Sequence, residues 1–337
     1  MKYWKTTILF VVGWLLLFKT AHGQEKDTNP FSNGKPIGLV FADFYTGINQ
    51  GSNPSAFEIK RAYLGYEFDI GGNFSSKIQL DIGSPDDVSN YSLLRRFAYF
   101  KDAYLEYKKN KFNIKFGIIP LQQFKIQENI WAHRYIYKTV IDQQNLGSSA
   151  DLGTSVNYKA TGFLELDFTL MNGEGYNNLQ TDYSYKAGLG ATLKPWKGLI
   201  VRMYVDGITK SETQWLLVSF VGYEIKDKFL AGFEYDVKLN NKFEEDHSID
   251  ALSGYASWHF AKKLQVFGRY DFITSNTLAG EERPWNLEND GSTIIAGIEY
   301  RPVSKVKIAF DYQDWFPYAG NAENHSYLFL NLEFKVW

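Results

Sequence analysis

The chain has no cysteine among its 337 residues. That excludes a disulfide framework, a thiolate metal site, a cysteine nucleophile and a lipidated N-terminal cysteine. Histidine is scarce too. His22, His133, His247, His259 and His325 are too dispersed to form a metal-ligand cluster, and no cofactor is expected. Charge of either sign is not in large excess: 36 Lys and Arg stand against 38 Asp and Glu, a net of −2. Such a chain is not a polycation, so tight binding to nucleic acid is not expected. The mean hydropathy of −0.31 is too polar for a bundle of transmembrane helices. Phosphate-cradling and nucleophile motifs are missing as well. Gly188-Leu189-Gly190 lies within a strand pattern with no helix after it, and Gly147-Ser148-Ser149 lacks G-x-S-x-G spacing.

What the chain does have is aromatic residues, 17% of the total, as 26 Phe, 23 Tyr and 9 Trp. A polar average with this many rings suits all-β structure with large half-apolar surfaces. Residues 1–23 are set apart from the rest. Lys2 and Lys5 precede an apolar run from Ile8 to Phe18, and Ala21-His22-Gly23 follows. This is the layout of a secretory signal peptide, and the run of about 11 residues falls short of the ~20 that span a bilayer. Without Lys2, Lys5 and Lys19, 33 of the 36 basic residues remain against 38 acidic ones, a net of −5. Residues 24–36 read as a short periplasmic N-terminal segment.

From residue 37 to 337 apolar residues alternate with polar ones. Phe112, Ile114, Phe116 and Ile118 interleave with Asn113, Lys115 and Gly117. Val306, Ile308, Phe310 and Tyr312 interleave with Lys307, Ala309 and Asp311, and Leu328 to Val336 repeat the pattern. Period 2 places one set on each face of a strand. The strands run to about 10–13 residues, where soluble strands have about 5–6 and a tilted membrane strand needs about 9–11. About sixteen such segments are predicted, beginning near 37, 56, 73, 97, 111, 151, 162, 182, 197, 213, 228, 249, 263, 292, 305 and 325, the count expected of a porin-sized barrel. Short connections alternate with longer ones near 49–55, 84–96, 120–150, 173–181, 209–212, 241–248, 276–290 and 317–324. In lipid every backbone polar group must be paired within the protein, so a sheet there must close. The expected fold is an all-β, transmembrane, antiparallel up-and-down β-barrel of sixteen strands. An even strand count puts both chain ends on the periplasmic side. A large soluble β-sandwich or β-helix is the competing arrangement.

Assigning the polar phase to the interior makes Arg61, Lys77, Asp81, Asp102, Glu106, Lys115, Arg202, Arg269 and Arg301 candidate pore-wall residues. Collectively they predict a wet lumen. The longest connection, 120–150, is the third external loop by the strand count. A loop of this length in a compact barrel is usually functional. It is expected to fold inward and narrow the channel, with Lys125, Glu128, His133, Arg134 and Lys138 at the constriction.

Phe57-Glu58-Ile59-Lys60-Arg61-Ala62-Tyr63-Leu64-Gly65-Tyr66 and Lys77-Ile78-Gln79-Leu80-Asp81-Ile82-Gly83 resemble early strands of the phosphate-selective porin (O and P) family. So do Lys101-Asp102-Ala103-Tyr104-Leu105-Glu106-Tyr107 and Asn113-Ile114-Lys115-Phe116-Gly117, with Pro120 after them. The resemblance is clearest over 56–160. It implies a sixteen-stranded porin in the outer membrane of a Gram-negative bacterium, often a homotrimer. The expected partners are outer-membrane lipid and lipopolysaccharide, the barrel-assembly machinery, and small hydrophilic solutes or ions, anions such as phosphate among them. Two departures stand out. A net of −5 does not promise an Arg- and Lys-lined pore, and the terminal aromatic Trp337 is out of phase with Leu328 to Val336. Passive diffusion rather than catalysis is the expected function. The competing classes are a membrane-embedded lipid hydrolase built on Ser257 and His259, and a non-conducting structural or adhesive barrel.

Overall fold

The structure, a computed structural model, describes residues 34–48, 53–83, 98–320 and 323–336. The expected signal peptide over 1–23 and Trp337 lie outside the described residues, as does all but the end of the 24–36 segment. The strands are β1 (Lys35–Gly47), β2 (Ser55–Gly71), β3 (Phe74–Ile82), β4 (Ala98–Lys109), β5 (Phe112–Pro120), β6 (Ala150–Lys159), β7 (Leu164–Met171) and β8 (Lys186–Leu193). They continue with β9 (Leu199–Thr209), β10 (Thr213–Ile225), β11 (Phe229–Leu239), β12 (Ile249–Ala261), β13 (Leu264–Ser275), β14 (Gly291–Val303), β15 (Val306–Pro317) and β16 (His325–Lys335). Each pairs antiparallel with its neighbours in sequence, and β1 closes on β16 from Leu39 opposite Lys335 to Gly47 opposite Tyr327. Closure leaves no strand edge unpaired, which is what a sheet in lipid requires.

One end of the barrel is made of tight turns. Gly71, Gly72 and Asn73 join β2 to β3 with φ of +92°, +60° and +74°, a run of left-handed backbone that glycine and asparagine adopt at least cost. Asn110 and Asp227 take the same conformation in the β4–β5 and β10–β11 turns. The opposite end carries the longer loops, with one exception. The 210–212 connection, expected among the long ones, is a tight turn closed by the Lys210 N–H donating to the Glu212 carbonyl at 3.1 Å.

The outer surface is apolar. Leu64, Phe116, Phe168, Met203, Phe233, Phe310 and Leu330 are all exposed on the outward phase of their strands. An apolar exterior on a closed sheet is the arrangement of a membrane-spanning barrel. Besides register shifts next to the β2–β3, β12–β13 and β14–β15 turns, two bulges break the strict alternation farther along the strands. Phe41 faces Arg61 but Ala42 faces Ile59, so Lys60 is an extra residue in β2. Likewise Gln79 faces Asp102 but Leu80 faces Phe100, so Lys101 is an extra residue in β4. A bulge re-aims the side chain it inserts.

Candidate functional site

The 121–149 connection does not stand outside the barrel. It carries helix α1 (Gln122–Trp131) and the short helix α2 (Val140–Gln143), and it crosses the lumen to the far wall. On β11, Glu234 Oε1 accepts from Gln127 Nε2 at 3.0 Å. On β12, the Tyr255 hydroxyl donates to the Gln127 carbonyl at 3.2 Å. On β14, Glu299 Oε2 accepts from the Tyr135 hydroxyl at 2.7 Å. On β15, Lys307 Nζ donates to the Ala132 carbonyl at 3.2 Å. The loop is thus tied to four strands of the far wall, β11, β12, β14 and β15, and the inward fold is a property of specific bonds.

This docking divides the interior. Beneath the loop apolar side chains from loop and wall pack together. Phe124, Val140, Ile141 and Leu146 from the loop pack with Tyr204, Leu216, Val218 and Ile249 from the wall. Ile130, Trp131, Tyr135 and Ile136 pack with Phe220, Tyr255, Phe267 and Ile295. Beside the charged wall expected from alternation, the docked loop adds a packed apolar seam. The loop brings an apolar face that packs on apolar wall residues, and the charged wall residues Arg202, Glu234 and Arg269 are buried beneath it as well. A signal for this was present in β10. Trp215-Leu216-Leu217-Val218, then Phe220-Val221, is apolar on both phases, as in a strand covered on both sides.

His133 sits at the centre of the clamp and is fully buried. Its Nδ1–H donates to the Trp131 carbonyl at 2.6 Å. Gln265 Nε2 lies 3.2 Å from His133 Nε2 and 2.6 Å from Glu299 Oε1. The amide nitrogen must face the carboxylate, so both of its hydrogens are committed and the imidazole accepts at Nε2. The ring is neutral in this arrangement. Burial pushes its pKa down from 6.5 to about 4, against the opposing pull of Glu299 and with help from Lys307 and Arg301. The sign follows from linkage: an undocked loop takes up a proton near 6.5, the docked loop only near 4. Docking is fully favoured above the higher value and weakens as pH falls between the two. Single-channel conductance should hold steady at neutral pH and rise on acidification through that window. His133→Gln should flatten the rise; parallel profiles for the two proteins would take His133 out of the clamp.

The other side of the loop is open. Four cavities of about 930, 160, 400 and 410 Å³ follow one another along β1–β5 and the loop, from the long-loop end to the turn end. Arg61, Lys138 and Gln143 border both the first and second, Phe41 and Arg134 the second and third, and Lys77, Lys125 and Asn129 the third and fourth. Each shares wall residues with the next, so the four form a string of cavities, the path, down one side of the barrel. Among the described residues its basic side chains are Lys60, Arg61, Lys77, Lys101, Lys108, Lys115, Lys125, Arg134, Lys138, Lys186, Lys210, Lys238, Lys307 and Lys335. Its acidic ones are Glu67, Asp81, Asp102, Glu106, Glu128, Asp142, Glu174 and Glu333, eight against fourteen. Many of the remaining inward acids, Asp167, Glu234, Asp236, Asp271, Glu299 and Asp311, are buried away from this path.

The residues singled out from sequence fall into two groups. Arg61 and Asp81 pair at 3.0 Å, Lys77 and Asp102 at 2.6 Å, and Lys115 and Glu106 at 3.6 Å, all on the path. From the loop, Lys125, Glu128, Arg134 and Lys138 also line it, with Arg134 held by Glu128 at 2.9 Å and Asp142 at 3.1 Å. Arg202, Arg269 and His133 are instead buried, off the path. Arg202 grips Asp167 through two nitrogens at 2.6 and 2.9 Å. Arg269 does the same to Asp271 at 2.8 and 2.6 Å. Arg301 lies toward the turn end and pairs with Glu299. Ser257 and His259 share β12 without a hydrogen bond between them. Strict alternation sends Lys60 and Lys101, the neighbours of Arg61 and Asp102, outward, so the sequence pattern does not reveal them as wall residues. Lys186 and Lys238, on the outer cavity wall, were also passed over.

No family model matches the chain, and no curated protein matches its sequence. The likeness to known proteins lies in the structure. The outer membrane channel DcaP of Acinetobacter baumannii superposes with a TM-score of 0.67 at 12% identity, covering 90% of this chain and 96% of that one. An anion-selective porin from Comamonas acidovorans gives 0.65 at 10% identity, covering 90% and 99%. OmpT of Vibrio cholerae, in its trimer form, gives 0.57 at 13% identity, covering 90% and 99%. The chain shares the fold of these outer-membrane proteins; its own barrel has sixteen strands with β1 closed on β16, and a loop docked in the lumen.

Proposed function

We propose that the protein is an outer-membrane porin through which small hydrophilic solutes and ions diffuse passively, with a preference for anions. In this reading the short turns face the periplasm and the long loops face the exterior. The observation that carries the preference is the division of charge inside the barrel. The chain as a whole is slightly acidic, yet among the described residues the path carries fourteen basic side chains to eight acidic ones. A water-filled passage with a net positive wall concentrates anions and repels cations. The early-strand resemblance to phosphate-selective porins points the same way and favours oxyanions such as phosphate. A neighbour of the same fold is itself an anion-selective porin. Assembly as a homotrimer belongs to the same reading.

Reversal potential across a planar bilayer under a potassium chloride gradient tests it. The expected sign is that of chloride permeating faster than potassium. Neutralising Lys125, Arg134 and Lys138 together should move the value toward zero. A wild-type potential of the opposite sign would end the anion reading. Failure to observe any conductance step would favour a closed structural barrel.

A further inference from the structure

The outer cavity and the third cavity of the path meet at a partition. Tyr176, from the 172–185 connection, lines the outer cavity, and Lys101 lines the one beyond it. The Lys101 ammonium lies over the Tyr176 ring, 4.0 Å from its centroid. It also donates to the Ser149 hydroxyl, and Ser149 borders both cavities. Lys101 reaches this place because of the β4 bulge, which turns it inward beside Asp102.

Three of its basic neighbours in the throat are already neutralised. Arg61 is paired with Asp81, Arg134 with Glu128 and Asp142, and Lys60 with Asp43 at 3.0 Å. Lys101 has no ion pair among the described residues. Among the described residues its partners are a hydroxyl and an aromatic face, weaker partners for an ammonium than a carboxylate, phosphate or sulfate oxygen. Asp102, the next residue, is taken by Lys77 at 2.6 Å.

We propose that Lys101, Ser149 and Tyr176 form a transfer site for one small oxyanion or halide at the step from the outer cavity to the inner ones. The arriving anion replaces the ring as partner of the ammonium, keeps the Ser149 hydroxyl as a donor, and moves inward past Tyr176. The inference rests on the porin reading above and adds the residue that sets its selectivity. The bulge matters because it adds a positive charge at the partition without removing the Lys77–Asp102 pair that the regular phase supplies.

A channel with one site that must fill and empty saturates with ion concentration. Wild-type conductance should therefore level off as potassium chloride is raised. Lys101→Met should make the dependence nearly linear and lower the chloride-to-potassium permeability ratio by about threefold or more, as loss of a constriction charge does. Lys101→Arg should keep both properties. Tyr176→Leu, which frees the ammonium from the ring, should shift saturation to lower concentration. It gives an independent reading even if the Lys101→Met protein fails to insert. A wild type selective for chloride, with unchanged saturation in Lys101→Met or Tyr176→Leu, would overturn the transfer site and leave the anion porin intact. A wild type selective for potassium would overturn both.

Discussion

Replacing Trp131 with alanine should raise the single-channel conductance several-fold. Trp131 closes helix α1 and has no solvent-exposed surface. Its ring centroid is 5.2 Å from that of Tyr255 and 6.2 Å from that of Phe267, both on the far wall. The Arg269 guanidinium lies over the indole at 5.0 Å, and Nε1 donates to the Tyr137 carbonyl at 2.8 Å. Truncating a buried tryptophan typically costs about 3–5 kcal/mol, because the site does not collapse to fill the void. What then holds the loop is a small set of bonds, including Gln127 to Glu234 and Tyr135 to Glu299. Each contributes roughly 0.5–1.5 kcal/mol net, up to about 3 kcal/mol to a charged group. The lost packing is as large as several of these together, so the loop should leave the wall and widen the passage. Trp258, 57% exposed on the lipid-facing side, supplies the control: Trp258→Ala should leave conductance unchanged. A Trp131→Ala channel with wild-type conductance would mean that the loop is held by other contacts or does not limit flow.

Arg202→Met should weaken the barrel more than any change on the open path. The guanidinium is completely buried, bound to Asp167 through two nitrogens. It also donates to Thr192 at 2.8 Å and to Gln123 of helix α1 at 3.3 Å. Methionine fills much of the volume but strands the Asp167 carboxylate, itself 5% exposed. Removing one partner of a buried pair costs about 3–5 kcal/mol, whereas replacing both by apolar groups is often close to neutral. The midpoint of unfolding in urea, followed by tryptophan fluorescence in detergent, should drop sharply for Arg202→Met. It should recover in the Arg202→Met, Asp167→Leu double variant. Equal midpoints for wild type and the single variant would show that water reaches the site and solvates the carboxylate.

Much of the wall was legible because its cause is local. Alternation with a period of two is a property of each strand alone. It placed Leu64, Phe116, Phe168, Phe310 and Leu330 on the outside, where they are exposed. Glycine and asparagine at 71–73 marked a turn through their own backbone preferences. The unusual length of the 120–150 connection marked a loop with work to do, and it is in the lumen. Lys60 and Lys101 were hidden for a physical reason. A bulge shifts phase by one residue, and only the pairing partner on the next strand reveals it. Arg202 and Arg269 have the same inward phase as Arg61 and Lys115, yet they lie under the loop rather than beside water. Phase gives a residue's face but not what covers that face.

By itself, the order of amino acids determined that this chain forms long antiparallel strands, how many there are, and that they turn an apolar surface outward. These follow from side-chain periodicity and turn chemistry within a few residues. Only the tertiary structure decided which part of the interior is packed by the loop, and hence that a slightly acidic chain places more basic than acidic side chains along its cavities. That outcome depends on where one loop docks across the barrel, a contact between residues as far apart in sequence as Tyr135 and Glu299. No local pattern encodes it, because it is set by burying apolar faces against each other and taking the neighbouring carboxylates out of solution.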